Sequence, residues 1–412
     1  MINGKAFHIM TKPTGSICNL DCEYCFYLEK EKLYPDKTEW AMNDEVLESY
    51  IKQYIASQKT GEVNFTWQGG EPALLGVDYF RTVIEIEKKY SGGKKISNSF
   101  QTNGVLLNDE WCEFFAENNF LIGLSIDGPE EIHNKYRIYK GGQPSFKDVM
   151  RAIELLKKHN VEFNTLTCVQ KDNSYKAKEV YSFLKEVGSG FMQFIPIVER
   201  QAKPDGRTSL SLVSPEYEGD AQVTDWSVEP LQYGKFLTEI FDEWVLKDVG
   251  KVFVQIFDVA LEVWYGMKAS LCVFNEICGN AMALEHNGDL YSCDHYVYPE
   301  NKLGNIVTDG LEKIATSSQQ IKFGMDKKIK LPAYCEQCEY KFICNGECPK
   351  HRFIKTPDGE DGLNYLCEGY KYFFSHIDPY MRFMVNELNN KRPPANVMNW
   401  AKRNLTKNFN VK

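Results

Sequence analysis

The sequence predicts an α/β fold built on a parallel sheet and followed by a cysteine-rich module. Three observations carry that reading. Between residues 6 and 198, six short apolar or alternating stretches are separated by segments of helical periodicity, the pattern of βαβ units. Each polar motif of this half follows a predicted strand, and parallel barrels gather their reactive groups on loops at the C-terminal ends of strands. Eight of the 13 cysteines then crowd between Cys272 and Cys367, where long apolar segments are few and a small core needs metal staples.

The elements follow in order. Residues 6–12 read as the first strand and lead into a loop with three cysteines. Asn43 and Asp44 are helix-start residues, and Val46, Leu47, Tyr50, Ile51, Tyr54 and Ile55 recur at helical spacing after them. Residues 63–67 form the second strand and end in Gln68-Gly69-Gly70-Glu71-Pro72. A helix over 78–90 precedes a strand over 96–101, which ends in Thr102-Asn103-Gly104. A helix over 109–118 precedes a strand over 121–126, ending in Asp127-Gly128-Pro129. Helices over 146–159 and 174–187 flank the strand 162–169, and 191–198 is the sixth strand.

Residues 199–230 break the alternation. They are rich in Ser, Pro, Asp and Gly and read as a surface insertion near the sheet's functional end. A helix over 231–247, a strand over 252–257 and a helix over 258–267 connect to the cysteine-rich region. Residues 377–391 read as a closing helix and 392–412 as a polar tail. The expected domains are 1–230 (including the insertion), a connecting segment 231–271, a cysteine module 272–376 and a C-terminal part 377–412.

Composition narrows the function classes. Lys+Arg 48 against Asp+Glu 57 gives a net charge of -9, which argues against a general nucleic-acid binder. No run of about 18 apolar residues predicts a membrane span, and no basic-then-apolar start predicts a secretion signal. A cytoplasmic chain is expected, and its clustered thiols then point to metal or chemistry rather than disulfides. Cys112 and Cys168, inside a predicted helix and strand, read as buried small hydrophobes.

Cys18, Cys22 and Cys25 form a C-x3-C-x2-C triplet on one short loop. A structural zinc site closes with four ligands, and no fourth Cys or His lies near. A [4Fe–4S] cluster with three thiolates keeps one iron open, although spacing alone leaves zinc or a plain loop as alternatives. With Tyr24 before the last cysteine, the triplet resembles the signature of radical S-adenosylmethionine (SAM) enzymes. The resemblance implies that SAM chelates the open iron and that the six strands form an open (β/α)6 partial barrel.

The second set reads Cys335-x2-Cys338-x5-Cys344-x3-Cys348, with Cys272, Cys278 and Cys293 upstream and Cys367 downstream. Eight thiolates suit two four-ligand sites, and zinc ribbons are the plain alternative. Taken whole, with Gly288 between Cys278 and Cys293, the arrangement resembles the SPASM domain. That resemblance, and not the spacing, implies interleaved ligands: auxiliary cluster I on Cys272, Cys278, Cys293 and Cys348, and auxiliary cluster II on Cys335, Cys338, Cys344 and Cys367.

Further motifs narrow the resemblance to anaerobic sulfatase-maturating enzymes. They are Cys-Glu-Tyr-Cys-Phe-Tyr-Leu (22–28), Gln-Gly-Gly-Glu-Pro (68–72), Gln-Thr-Asn-Gly (101–104), Gly-Leu-Ser-Ile-Asp-Gly-Pro (123–129) with His133-Asn134, and Tyr-Ser-Cys-Asp-His-Tyr (291–296). The match spans about residues 6 to 390. It implies oxidation of one Cys or Ser of a sulfatase, in a Cys/Ser-x-Pro/Ala-x-Arg motif, to Cα-formylglycine. It implies three [4Fe–4S] clusters, SAM as cosubstrate, an unfolded or nascent sulfatase as partner and a donor such as flavodoxin or ferredoxin. Nucleic acid and membrane are not expected as partners.

The same resemblance implies residue roles. Gly70 lies where the family binds the methionyl amine, Tyr24 and Val198 where backbone meets adenine, and Ser125 where the ribose is held. Arg137 is a candidate for the SAM carboxylate, since a guanidinium forks onto carboxylates. Asp294, next to Cys293, is the candidate base. Each has a plainer reading: a strand-end turn, loop packing, a satisfied hydroxyl, a surface arginine, a loop hydrogen-bonder. His133, His286, His295 and His351 read as structural, with His295 the exception to watch because it adjoins Asp294 near the first auxiliary site. Two other functions compete with the oxidase. A SPASM enzyme that crosslinks peptides would usually carry an N-terminal recognition domain, and an electron carrier or zinc scaffold would have no use for the Gly-Gly-Glu-Pro, Ser125 and Asp294 constellation.

Overall fold

The computed structural model describes residues 7–34, 40–202 and 210–409. Residue 6 of the expected first strand, 203–209 of the expected insertion and 410–412 of the expected tail lie outside the described residues. Six strands run parallel in chain order: β1 (His8–Lys12), β2 (Glu62–Trp67), β3 (Lys95–Thr102), β4 (Leu121–Ser125), β5 (Phe163–Val169) and β6 (Phe191–Pro196). Their crossovers carry α1 (Asp44–Ser57), α2 (Gly76–Tyr90), α3 (Asp109–Glu117), α4 (Glu130–Tyr136), α5 (Phe146–Lys158) and α6 (Ala177–Glu186). Asn43 caps α1, its side chain accepting from the Val46 N–H at 3.0 Å.

The two faces of this sheet differ. Val63, Phe65, Trp67 and Phe100 point into the helical layer, where Phe80 of α2 meets Trp67 and Phe100 edge-on at 5.6 and 5.1 Å. The alternate positions Asn64, Thr66, Ser97, Ser99 and Gln101 are polar and not buried. A parallel sheet normally buries both faces. Leaving one polar makes an open lumen, which suits a partial barrel that receives ligands.

The insertion holds a short antiparallel pair, β7 (Arg200–Gln201) and β8 (Gln222–Val223). Its described part is tied to the chain just after the cysteine loop. The Glu29 carboxylate accepts from the Ser211 and Leu212 N–H groups, both at 2.9 Å, and from the Ser211 hydroxyl at 2.6 Å. After α7 (Pro230–Lys247) the expected strand over 252–257 shrinks to β9 (Phe253–Val254), and α8 (Gln255–Trp264) begins at once. Ile256, Phe257, Val259 and Ala260 are buried on one helical face, so a short apolar run that reads as strand is a helix start.

The cysteine-rich half does not stand apart from the barrel. β10 (Ala281–Glu285) pairs parallel with β1, from His8↔Ala281 to Lys12↔Glu285. β11 (Asp289–Tyr291) and β12 (Lys302–Asn305) continue antiparallel, giving one ten-stranded sheet. The closing helix starts at Cys367 and runs to Asn389. It lies hard against α7: a Cβ on Gly234 would stand 2.3 Å from the Gly369 carbonyl oxygen, and one on Gly369 2.0 Å from that of Pro230. The expected polar tail is instead a helix, Val397–Phe409, whose Val397 and Ala401 are fully buried.

Candidate active site

The loop after β1 is stitched down on both sides. Asp21 and Glu23 donate backbone N–H groups to the carbonyls of Ile138 and Tyr136 at 2.8 and 3.3 Å, and Cys25 donates to that of Cys22 at 2.9 Å. Beneath it lies a buried polar knot. The Tyr24 hydroxyl donates to Asp127 Oδ2 at 2.5 Å, the Cys168 N–H donates to Asp127 Oδ1 at 3.1 Å, and Arg137 Nε stands 3.1 Å from Asp127 Oδ2. That last contact is off the hydrogen-bond direction, so it is ionic. The Tyr24 side chain is thus a packing and anchoring group. Cys168 is no plain core thiol, because Arg137 Nη2 reaches its sulfur at 3.7 Å, whereas Cys112 is fully buried.

The glycine turn after β2 seals the loop from the other side. Gly70 donates its N–H to the Gly15 carbonyl at 2.8 Å and Glu71 to that of Ile17 at 2.9 Å. A Cβ on Gly70 would lie 1.9 Å from the Ile17 carbonyl oxygen, so only glycine fits. Glu71 turns inward and accepts from the Ala73 and Asn103 N–H groups at 3.0 and 2.8 Å and from the Thr102 hydroxyl at 2.8 Å. Ser125, ending β4, accepts from Gln101 Nε2 at 3.0 Å on the polar face of the sheet. Val198 is buried just past β6.

Neighbouring thiols influence one another along three sets, with Cys168 also feeling Cys25 beside the first. Cys22 feels Cys25 and Cys18; Cys293 feels Cys348 and Cys272, and Cys278 feels Cys272; Cys335 feels Cys367 and Cys338. Cys335, Cys338, Cys344 and Cys367 also line one small cavity with Tyr370 and Phe374. Among the described residues no three His, Cys, Asp or Glu side chains close to single-ion spacing. A four-iron cluster does not ask them to, since it gives each thiolate its own iron. Burial, helped by Glu71, pushes the Cys18 thiol up to about 12, and burial raises Cys22 and Cys25. A cationic metal centre would hold these buried thiols as thiolates, and three of them on one loop are a donor set that fits an iron–sulfur cluster.

Asp294 follows Cys293 and opens a short 3₁₀ turn to Tyr296. Lys12, the last residue of β1, places Nζ 2.5 Å from Asp294 Oδ1 and 4.4 Å above the Tyr27 ring. Tyr27 in turn donates its hydroxyl to Glu285, the residue paired with Lys12 across the β1–β10 register. Burial pushes the Asp294 carboxyl up, but Lys12, helped by Lys350, holds it below the usual range, so it stays a carboxylate. The sequence reading did not single out Lys12, Asp127 or Glu285. Asp127 stood in view in its Asp-Gly-Pro turn, and Lys12 as the lone charge ending an apolar strand.

Comparison with known proteins decides the family. The Radical SAM superfamily model matches residues 13–184, and the SPASM model, an iron-sulfur cluster-binding domain, matches 272–339. A serine-type anaerobic sulfatase-maturating enzyme of Bacteroides thetaiotaomicron is 50% identical over 395 residues, covering 96% of this chain and 95% of its own. The chain belongs to the anaerobic sulfatase-maturating enzymes. A cysteine-type member from Clostridium perfringens is 35% identical over 383 residues, covering 92% of this chain and 98% of its own. The solved structure of native anSMEcpe with bound AdoMet and Cp18Cys peptide superposes at TM-score 0.81 with 34% identity, covering 93% of this chain and 100% of that one. Streptococcus suis SuiB bound to the precursor peptide SuiA shares the fold alone, at TM-score 0.59 and 13% identity over 88% of this chain and 76% of that one. This member of the family is a radical SAM oxidoreductase with a partial (β/α)6 barrel and a SPASM domain. Its cofactors are SAM and three [4Fe–4S] clusters. No helix among the described residues is long and apolar enough to cross a membrane.

Proposed function

We infer that this chain oxidises a serine or cysteine in a sulfatase motif to Cα-formylglycine, on an unfolded or nascent sulfatase, in the cytoplasm. The observation that carries the mechanism is the Lys12–Asp294 pair, where a carboxylate kept ionised by a buried ammonium adjoins Cys293, a cysteine of the SPASM module. SAM, held on a cluster by Cys18, Cys22 and Cys25, would supply hydrogen-atom abstraction from the target Cβ, and the auxiliary clusters would supply an exit for one electron. Asp294 accepts the proton lost from the substrate oxygen or sulfur as C=O or C=S forms, and Lys12 keeps it unprotonated between turnovers. One hydrogen atom, one proton and one electron thus leave the substrate. A thioaldehyde then reaches formylglycine by exchange with water, releasing hydrogen sulfide.

Cys18, Cys22 and Cys25 are the ligands we assign to the SAM cluster. Cys272, Cys278, Cys293 and Cys348 go to auxiliary cluster I, and Cys335, Cys338, Cys344 and Cys367 to auxiliary cluster II. The thiol groupings support this division. Gly70 is assigned to the methionyl amine, Tyr24 and Val198 to adenine through their backbone, and Ser125 to the ribose. Arg137 is assigned to the SAM carboxylate, with its Nε side held by Asp127. A flavodoxin or ferredoxin supplies the first electron. The 50% identity to a serine-type relative supports activity on a serine peptide. The test is anaerobic incubation of reduced enzyme and SAM with serine- and cysteine-containing sulfatase peptides, followed by mass analysis. Loss of about 2 Da from the serine peptide is expected, from the loss of two hydrogens that two-electron oxidation requires. SAM cleavage with both peptides unchanged would defeat the reading.

A further inference from the structure

We propose that His295 sets the reduction potential of auxiliary cluster I by donating a hydrogen bond to the Cys348 sulfur. The inference rests on the ligand division above. His295 Nδ1 lies 3.8 Å from Cys348 Sγ, within hydrogen-bond range for sulfur. A thiolate bound to iron carries no proton, so it can only accept; the imidazole must then hold its hydrogen on Nδ1. The contact is built rather than incidental. The 3₁₀ turn that carries the ring is closed by the Tyr296 N–H on the Cys293 carbonyl at 3.0 Å. Phe26 meets the ring edge-on at 5.5 Å, and Lys350 caps the same Phe26 ring at 4.7 Å while pairing with Glu199. Phe26 follows Cys25, and Lys350 stands two residues beyond Cys348. One imidazole, carried by the residue after the base, therefore lies between the SAM-cluster loop and a cysteine of the auxiliary site.

A hydrogen bond to a cluster sulfur stabilises the added negative charge of the reduced state, so it raises the potential. That matters beside Asp294. Once Asp294 has the proton, the substrate's remaining electron must pass to an oxidised acceptor, and a lower cluster potential makes that acceptor poorer.

The experiment is a redox titration of the reconstituted full chain, followed by electron paramagnetic resonance, on two variants. His295→Phe keeps the ring against Phe26 but removes both nitrogens, and His295→Asn places an amide N–H where Nδ1 stood. In the Phe variant one cluster's midpoint should move negative, so that its reduced fraction relative to oxidised at the wild-type midpoint falls about tenfold, 59 mV for one electron. The other two midpoints should stay, and Asn should restore most of the shift. Three unchanged midpoints in the Phe variant, or an Asn variant displaced as far as Phe, would overturn the proposal. Should the Phe variant lose iron, pulsed resonance on wild-type enzyme carrying ¹⁵N-histidine decides. A nitrogen coupling to a reduced cluster that vanishes in His295→Asn supports the bond, and no such coupling refutes it. None of these readouts needs a peptide substrate, so failure of the oxidase reading would leave them interpretable.

Discussion

Lys12 and Asp294 meet at 2.5 Å although they lie near opposite ends of the β1–β10–β11 stretch in sequence, Lys12 ending β1 and Asp294 opening the turn after β11. Lys12 ends β1, Glu285 ends β10 opposite it, and Asp294 returns from the β11 end to cap the ammonium. Because β10 belongs to the cysteine-rich half, the barrel's first strand and the SPASM module share one charge pair, its ammonium buried and its carboxylate partly exposed. The barrel thus reaches the proposed base without a flexible joint between the two halves.

Asp294→Asn should keep all three clusters and still form 5′-deoxyadenosine, while formylglycine falls by about 10²–10⁴, the usual worth of a general base. Lys12→Met tests the other partner. Removing one member of a buried pair leaves the other charge uncompensated, at a cost of roughly 3–5 kcal/mol. Adding Asp294→Asn to Lys12→Met should recover much of that stability, a coupling that a double-mutant cycle in apparent Tm would detect. Additive losses would show that the contact contributes nothing.

Gly70→Ala separates two roles of the glycine turn. The added methyl meets the Ile17 carbonyl oxygen at 1.9 Å and the Ser16 carbonyl carbon at 2.7 Å, and backbone cannot rotate aside as a side chain can. The segment just before Cys18 must shift. The variant should therefore lose about four irons, one cluster's worth, and retain about eight. Full iron content with SAM cleavage abolished would instead locate Gly70's importance wholly at the methionyl amine.

What the sequence displayed was local. Strands β1 to β6 emerge within a few residues of their expected bounds because apolar periodicity and turn residues are short-range signals. The proposed cysteine groupings come from motif resemblance, since the interleaving has no signature in the spacing. What stayed hidden depends on distant pairing. Nothing around Lys12 announces Asp294, nothing around Tyr24 announces Asp127, and β10 to β12 sit among cysteine-rich loops with no α-helix between them to mark them as barrel strands. The helix Val397–Phe409 was missed for a local reason: Pro393-Pro394 and the surrounding charges obscure an apolar stripe of which Val397 and Ala401 are fully buried.

Glu87 predicts how stability changes with pH. It lies buried in α2 and accepts from Asn98 Nδ2 at 2.9 Å, while Asn98 accepts from Trp67 Nε1 at 2.7 Å. Its other oxygen is buried without a partner. Burial, against the opposing Asn98 bond, raises its pKa from 4.5 to about 8. A carboxyl raised this way holds a proton that the unfolded chain releases. Its contribution is whole below the unfolded value of 4.5 and is lost as pH rises to about 8. Glu87→Gln keeps the shape without the charge. It should flatten the fall in apparent Tm between pH 4.5 and about 8 and stabilise the alkaline end by on the order of 2–4 kcal/mol. Parallel Tm curves for variant and wild type would show that Glu87 is charged in the fold.

The final prediction concerns the link between auxiliary cluster II and the body of the protein. Cys367 is the first residue of the helix Cys367–Asn389, and two residues later Gly369 presses its backbone onto Gly234 of α7. A metal bond at Cys367 therefore fixes the start of a helix that also builds the barrel's outer layer. Metal binding and folding are coupled in such modules, so losing the ligand should cost structure as well as iron. Cys367→Ala should lose about four irons, lower soluble yield and lower apparent Tm, with the first-cluster signal still responsive to SAM. Cys112→Ala is the control: that thiol is fully buried in α3, so its loss should cost roughly 1 kcal/mol and no iron. If Cys367→Ala kept its iron and wild-type formylglycine yield, both the ligand assignment and the coupling would be wrong. If it lost iron while apparent Tm stayed level, the ligand assignment would stand and the helix would be held by its packing on α7 alone.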